Sequence, residues 1–170
     1  MPKTIQQTVT LPATAADLYR MYLNPRSHAA ITGAPVKISA KPGSAFRAFN
    51  GDLSGKMLRT EPKRMIVQTW RSTRFGRKDL DSTLILTFWP RGRKSGRIQL
   101  VHVNVADRDV RGVTEGWKKY YWKPWRAYLT KRRSVAGTLK SKTSVTEELL
   151  KERAKDKRRE ENKGAKLGAR

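Results

Sequence analysis

The chain is 170 residues long and carries 38 Lys and Arg against 14 Asp and Glu, so its formal net charge at pH 7 is +24. It contains no cysteine, which excludes disulfide bonds, thiolate metal sites and cysteine nucleophiles. Its N-terminus lacks the apolar core of a signal peptide, and no apolar run is long enough to cross a bilayer. We therefore expect a cytoplasmic protein that does not insert into membranes.

The positive charge is concentrated in the part of the chain that carries the apolar patterns. Residues 1–133 contain 27 Lys and Arg against 8 Asp and Glu, whereas residues 134–170 contain 11 against 6. We predict one folded domain over the first range and a charged tail over the second, with a linker and a solvated helix at residues 145–162. A field of this sign attracts nucleic acids, anionic surfaces and acidic proteins, although the charge is equally explained by solubility alone.

The first predicted elements are a strand and a pair of short helices. Apolar and polar residues alternate over residues 4–11, which is typical of a half-buried strand. Thr14 followed by Asp17 has the pattern of a helix N-cap. Asn24-Pro25 divides the next apolar pattern into two helices, and Gly33 ends the second.

Short strands separated by turns follow the helix pair. We predict them at residues 36–39, 45–50, 54–61, 65–71, 82–89 and 96–105. Because the strands follow one another as a meander, they should form an antiparallel sheet with the helices packed on one face. The predicted fold class is therefore α+β.

A long aromatic helix within residues 114–133 is the last predicted element of the domain. Its aromatic and apolar residues recur at helical spacing on one face: Trp117, Tyr120, Tyr121, Pro124, Trp125, Tyr128 and Leu129. Trp122 falls off this face among lysines, where we expect it to stack on a base or on a partner. Pro124 has no N–H to donate, which predicts a kink.

Short motifs occur in a fixed order along residues 1–132. They are Asn24-Pro25, Ile31-Thr32-Gly33, Phe46, Phe49-Asn50-Gly51, Gly55, Glu61-Pro62, residues 66–71, Glu115-Gly116-Trp117, Tyr120-Tyr121, Pro124-Trp125 and Tyr128-Leu129. Together they resemble the homologues of the activator of the ninety-kilodalton heat-shock-protein ATPase, within the START-like (SRPBCC) helix-grip superfamily. The resemblance implies a curved antiparallel sheet of about six or seven strands that grips the C-terminal helix around a cavity, with the short helix pair after the first strand. It also implies a non-catalytic domain that holds an apolar ligand or a chaperone or client surface.

An apolar ligand pocket is the first functional hypothesis, because small-molecule sites are concave and mostly apolar with a few polar anchors. The predicted ligand-binding residues are Phe46, Phe49, Trp70, Leu86, Phe88, His102, Trp117, Tyr121, Trp125 and Tyr128. Among them, His102 is expected at the cavity edge as a polar anchor. The alternative is that these side chains simply fill the core, since aromatic residues dominate core packing.

Two basic loops support a second hypothesis, an adaptor that binds nucleic acid or another polyanion. The predicted polyanion-binding residues are Arg71, Arg74, Arg77, Lys78, Arg91, Arg93, Lys94 and Arg97. If the two loops lie together, they form one positive rim for phosphates. No recognised nucleic-acid motif accompanies them, so the alternative is ordinary solvated charge.

Patterns for catalysis and metal binding are weak. His28 and His102 lie far apart without the spacing of metal ligands, and no glycine-rich phosphate loop is present. We predict no metal, no cofactor and no catalysis. The superfamily resemblance leaves a polyketide-cyclase-like enzyme, with His102 as its base, as a third hypothesis.

Overall fold

The structure is a computed structural model that describes residues 1–136, 138 and 151. The chain divides into two compact units, Met1–Thr130 and a second that begins at Lys131, where residues 131–136 are helical. The predicted domain boundary at residue 133 stays a prediction. Residues 134–136 and 138, at the start of the predicted linker, are helical, and the rest of the linker and all but residue 151 of the predicted tail helix lie outside the described residues.

Seven antiparallel strands form one sheet in the order β1-β7-β6-β5-β4-β3-β2. Strands β2 to β7 follow one another as a meander, and β1 pairs with β7 at the other edge. The strands are β1 Lys3–Leu11, β2 Val36–Lys37, β3 Ala45–Ala48, β4 Leu53–Glu61, β5 Met65–Ser72, β6 Ser82–Pro90 and β7 Gly96–Val105. The predicted α+β class and the antiparallel sheet are confirmed.

The helix pair forms as its local sequence predicts. Helix α1 spans Ala15–Leu23 and helix α2 spans Pro25–Thr32. Thr14 caps α1 and Asn24 caps α2, and each side chain accepts a hydrogen bond from the backbone N–H three residues later, over 3.1 and 3.0 Å. Gly33 ends α2 in the left-handed conformation, with φ of 73°, which glycine adopts without a steric penalty.

The C-terminal helix, α3, changes its winding part of the way along. It is α-helical over Val110–Gly116, π-helical over Trp117–Trp122 and α-helical again over residues 123–130. In the π-helical part, the N–H of Lys123 donates to the carbonyl five residues earlier instead of four. The π-helical part ends two residues before Pro124, whose nitrogen has no hydrogen to donate.

The π-helical segment corrects two sequence predictions about this helix. Each π-helical residue turns the chain less than an α-helical one, so the side chains after Trp117 rotate relative to the predicted face. Tyr120, predicted on the apolar face, is 47% exposed, whereas Trp122, predicted to lie free for stacking, is only 8% exposed. The Trp122 side chain packs against the sheet side of the domain and stacks on Trp117, with ring centroids 5.3 Å apart.

The core lies between the inner face of the sheet and the helices. Alternate side chains of β6 and β7 point inward and pack against α1 and α3. The side chains are Leu84, Leu86 and Phe88 of β6, Ile98 and Leu100 of β7, Leu18 and Tyr22 of α1, and Trp125 of α3. Each of these eight side chains is at most 1% exposed. Side chains therefore fill this region. Full burial of a large apolar side chain contributes about 1.5–3 kcal/mol to stability, so these residues stabilise the domain.

Candidate ligand-binding cleft

A cleft of about 520 Å³ opens between the first half of α3 and the end of the sheet where β4 begins and β5 ends. Five aromatic side chains line it: Phe49, Trp70, Trp117, Tyr120 and Tyr121. Its polar lining comes from Asp52, Ser72, Thr73, Arg74, Asp109, Glu115 and Lys119. The volume lies within the range of about 300–1,000 Å³ that is typical of small-molecule sites.

Phe49 forms one side of the cleft from a tight turn between β3 and β4. Its φ of 52° and that of Asn50, 57°, place two consecutive non-glycine residues in the left-handed region. A bulky side chain is strained there, and such strain is common in ligand clamps. The turn brings the Phe49 ring edge-on to Tyr120 and Tyr121, with centroids 5.7 and 5.9 Å apart.

Trp117 is held in place by a buried chain of hydrogen bonds that runs through Ser82 and His102. The Ser82 hydroxyl donates to the Trp70 carbonyl over 2.7 Å, so His102 Nε2–H donates to Ser82 over 2.8 Å. His102 Nδ1 is then the acceptor for the Trp117 indole N–H over 3.3 Å. Burial lowers the pKa of His102 to about 3, so the ring is neutral at pH 7.

Tyr121 is supported in the same way by His28 on α2. His28 Nδ1–H donates to the Tyr22 carbonyl over 2.7 Å, and Nε2 accepts from the Tyr121 hydroxyl over 3.4 Å. Burial lowers the pKa of His28 to about 4 in spite of the hydrogen bond to Tyr22, which acts in the opposite direction. Burial raises the pKa of the Tyr121 hydroxyl, so it remains a donor.

The structure separates the ten predicted ligand-binding residues into two groups. Four of them line the cleft: Phe49, Trp70, Trp117 and Tyr121. The other six do not line it: Phe46, Leu86, Phe88 and Trp125 are buried in the core, Tyr128 packs half-buried against it, and His102 is buried. The expected position of His102 at a cavity edge is therefore wrong, because the ring lies among Ser82, Trp70 and Trp117. Ligand binding by the cleft stays a prediction.

Several residues of the cleft and of its support were missed from sequence. His28 lies three residues before the buried Ile31 on α2, and that helical spacing was a usable signal of its burial. Asp109 and Gly112 gave no such signal, because the fold alone brings them to the same wall as Arg74.

The two basic loops lie at opposite ends of the sheet. The loop at residues 73–81 precedes β6 and the loop at residues 91–95 follows it, so the nine residues of β6 separate them. At about 3.3 Å per residue, that separation is about 30 Å, and the expected single positive rim is wrong. In the first cluster, Arg71 is engaged within the chain, donating to Asp81 Oδ1 and to the Asp79 carbonyl over 2.9 and 2.8 Å. Polyanion binding by either cluster stays a prediction.

Two structural features are absent from the part of the chain that the structure describes. None of its helices is long and apolar enough to cross a membrane. Nor do three or more His, Asp or Glu side chains in this part come together in a way that would hold a metal ion.

Comparison with known proteins places this domain among relatives of a chaperone activator. An uncharacterised protein of Schizosaccharomyces pombe is 31% identical over 119 residues, which are 64% of this chain and 35% of the relative. The human activator of 90 kDa heat shock protein ATPase homolog 1 is 26% identical over 115 residues, which are 66% of this chain and 33% of the relative. The matched region therefore spans about a third of each relative.

A solved structure shares the fold of this chain, and a family profile matches its sequence. The crystal structure of an HSP90 activator from Plasmodium falciparum superimposes with a TM-score of 0.67 at 16% identity, covering 75% of this chain and 96% of that chain. This likeness confirms the predicted helix-grip fold. The profile of the family described as "Activator of Hsp90 ATPase homolog 1-like protein" matches residues 12–130. The chain belongs to that family, as its motif string predicted.

Proposed function

We propose that this chain is a non-catalytic binding domain whose cleft takes up a small, largely apolar ligand. The observation that carries the proposal is the combination of a volume of about 520 Å³ with five aromatic walls. A partly exposed aromatic ring such as that of Tyr120 would lose its contact with water when a ligand enters. Burial of apolar area favours binding by about 25 cal/mol per Å² before the costs of association are subtracted.

The support behind the walls also favours binding. Trp117 and Tyr121 each have their polar atom fixed by a buried histidine, so neither ring needs to be ordered when a ligand arrives. A site that is organised before binding loses less conformational entropy on binding. The two histidines therefore position the aromatic side chains that line the cleft and do not line it themselves.

The same contacts argue against a catalytic role for either histidine. Both ring nitrogens of His28 and of His102 already have protein partners, and both rings are at most 1% exposed. A general base needs a ring nitrogen within reach of the substrate proton. The arrangement favours binding over the cyclase hypothesis.

A neutral, polarity-sensitive naphthalene dye such as Prodan tests the proposal. A Cβ added at Gly116, which lines the cleft, meets only Tyr120 Cδ2, at 3.8 Å, so alanine fits there without a clash and a longer side chain would extend from the cleft wall. Gly116→Leu should fill the cleft and abolish both the rise in dye fluorescence and the quenching of tryptophan emission. Gly116→Ala is the matched control and should bind the dye as the wild type does. Equal dye binding by the wild type and Gly116→Leu would reject the cleft as the site.

A second candidate function is docking to a chaperone of the ninety-kilodalton heat-shock class. The name of the human relative and that of the Plasmodium structure favour it. Two measurements test this candidate. Isothermal titration calorimetry measures binding of this chain to the purified chaperone, and an ATPase assay then measures the chaperone's rate of ATP hydrolysis with and without this chain. Binding with a raised rate supports activation, whereas the absence of any heat of binding rejects docking.

A further inference from the structure

One carboxylate in the cleft lining has no partner in the described part of the chain. Asp109 lines the cleft and is only 5% exposed. Within the described part of the chain, its carboxylate makes neither a hydrogen bond nor an ion pair, and it does not cap α3. Because both oxygens of a carboxylate without a partner can still accept, the site can take a hydrogen bond from a donor outside the protein.

Arg74 lies close to this carboxylate but does not neutralise it directly. A Cβ placed on Gly112 would lie 2.6 Å from Asp109 Oδ1 and 3.4 Å from Arg74 Nη1. Both charged groups therefore border the space that Gly112 leaves open, yet no ion pair joins them among the described side chains. Glycine at this position keeps the space between a cation and an anion free.

A second unsatisfied group in the lining is a donor. Trp70 is 5% exposed and lines the same cleft, and its indole Nε1–H is buried without an acceptor in the described structure. Buried polar groups are normally hydrogen-bonded, and an exception calls for an explanation such as a missing ligand. The cleft lining therefore contains an acceptor, Asp109, and a donor, Trp70, and neither has a partner among the described residues.

We propose that Asp109, Arg74 and the Trp70 indole form a polar subsite for an uncharged hydroxyl or carboxamide group on an aromatic ligand. The inference rests on the proposed function, because the aromatic body of the ligand occupies the cleft. A carboxylate would be attracted by Arg74 but repelled by Asp109, and an ammonium group would be attracted by Asp109 but repelled by Arg74, so the pair favours neither charge. A hydroxyl or carboxamide, by contrast, both donates and accepts. The ligand group donates to Asp109 and accepts from the Trp70 N–H or from Arg74.

Three naphthalene probes of similar size test the charge preference at pH 7. They are 2-naphthol, 2-naphthoate and 2-naphthylmethylammonium, each measured by displacement of the neutral dye from the full chain. We expect 2-naphthol to bind about tenfold more tightly than either charged probe, because a charged probe loses more hydration on entering the cleft and also meets one like charge there. A charged probe that binds as tightly as 2-naphthol overturns the inference.

Two substitutions test which residues set that preference. Asp109→Asn removes the negative charge at nearly constant volume and should raise the affinity for 2-naphthoate while lowering that for 2-naphthol. Asp107→Asn, at an exposed carboxylate two residues away, is the matched control and should leave all three affinities unchanged. Arg74→Gln alters an exposed residue and should raise the affinity for the ammonium probe. An unaltered preference in both Asp109→Asn and Arg74→Gln overturns the assignment.

The experiment also separates failure of this inference from failure of the proposed function. If the dye binds and Gly116→Leu abolishes its binding, but none of the three probes displaces it, the polar subsite is rejected and the cleft remains a ligand site. If neither the dye nor any probe binds to the wild type, both proposals are rejected.

Discussion

The indole N–H of Trp122 on α3 donates to the Gln7 side-chain carbonyl on β1 over 2.6 Å. The amide nitrogen of the same Gln7 donates to the backbone carbonyl of Thr114 over 2.9 Å. One side chain on an edge strand is thus bonded to α3 on both sides of Trp117, a wall of the cleft. The contact links the position of the helix to the sheet, and through it the shape of the candidate site.

Replacement of Gln7 should therefore destabilise the domain. Gln7→Leu keeps a similar volume but leaves the buried Trp122 N–H without its acceptor, which costs about 1–3 kcal/mol in the free energy of unfolding. Urea denaturation followed by circular dichroism measures this cost. Gln6→Leu on the exposed side of the same strand is the control and should change stability by less than about 0.5 kcal/mol. Equal effects of the two substitutions would show that the contact contributes nothing.

The two buried histidines should make the stability of the domain fall in mild acid. Burial lowers the pKa of His28 to about 4 and that of His102 to about 3, below the value of about 6.5 that histidine has in an unfolded chain. As the pH drops below about 6.5, the unfolded chain takes up protons that the folded chain does not. The free energy of unfolding then decreases by up to about 1.4 kcal/mol per pH unit for each histidine, and it does not depend on them above pH 7.

Urea titrations between pH 7.5 and pH about 4.5 measure this slope. His28→Asn keeps a side-chain N–H for the Tyr22 carbonyl but removes the titrating ring, so it should remove one histidine's share of the slope. His102→Gln keeps an amide for Ser82 and should remove the other share. A slope that stays the same in both variants would show that neither ring is neutral and buried as described.

The local sequence was sufficient where the structure depends on neighbouring residues. The cap at Thr14, the division of the helix pair at Asn24-Pro25 and the stop at Gly33 each follow from side chains within a few residues, and all are confirmed. Residue patterning predicted the strands and the aromatic helix, and the family resemblance supplied the way in which the sheet grips that helix, because its motifs are spread along the whole domain.

The sequence was insufficient where the structure depends on a change in helical winding or on which distant residues the fold brings together. A helical wheel assumes one constant turn per residue, so it could not anticipate the π-helical segment that exchanges Tyr120 and Trp122. The positions of the basic loops required the strand register. The approach of Arg74 to Asp109 depends on a loop and on the start of a helix that are 35 positions apart in the sequence.

The predicted ligand-binding phenylalanines should respond differently to truncation. Phe88 is 1% exposed and packs edge-on against Tyr19 in the core, with centroids 5.6 Å apart, so Phe88→Ala should cost about 3–5 kcal/mol of stability. Phe49 is only half-buried and lines the cleft, so Phe49→Ala should cost less stability but weaken dye binding. Dye titration at a temperature where both variants are folded measures the difference. A stronger loss of dye affinity in Phe88→Ala would show that the dye enters the core instead of the cleft.

The backbone at Phe49 predicts an unusual order of stability between two small replacements. Alanine is normally more stable than glycine within regular structure by about 0.5–1 kcal/mol, because glycine loses more conformational freedom on folding. At φ of 52° the order should reverse, since a residue with a Cβ pays about 1–2 kcal/mol in the left-handed region and glycine does not. Phe49→Gly should therefore unfold at a higher urea concentration than Phe49→Ala, while both variants lose the ring that contacts Tyr120 and Tyr121. Such a result would mean that the turn carries a phenylalanine at a cost in stability, as expected if the ring serves the cleft. If Phe49→Ala proves to be the more stable of the two, the turn is unstrained and the ring needs no functional explanation.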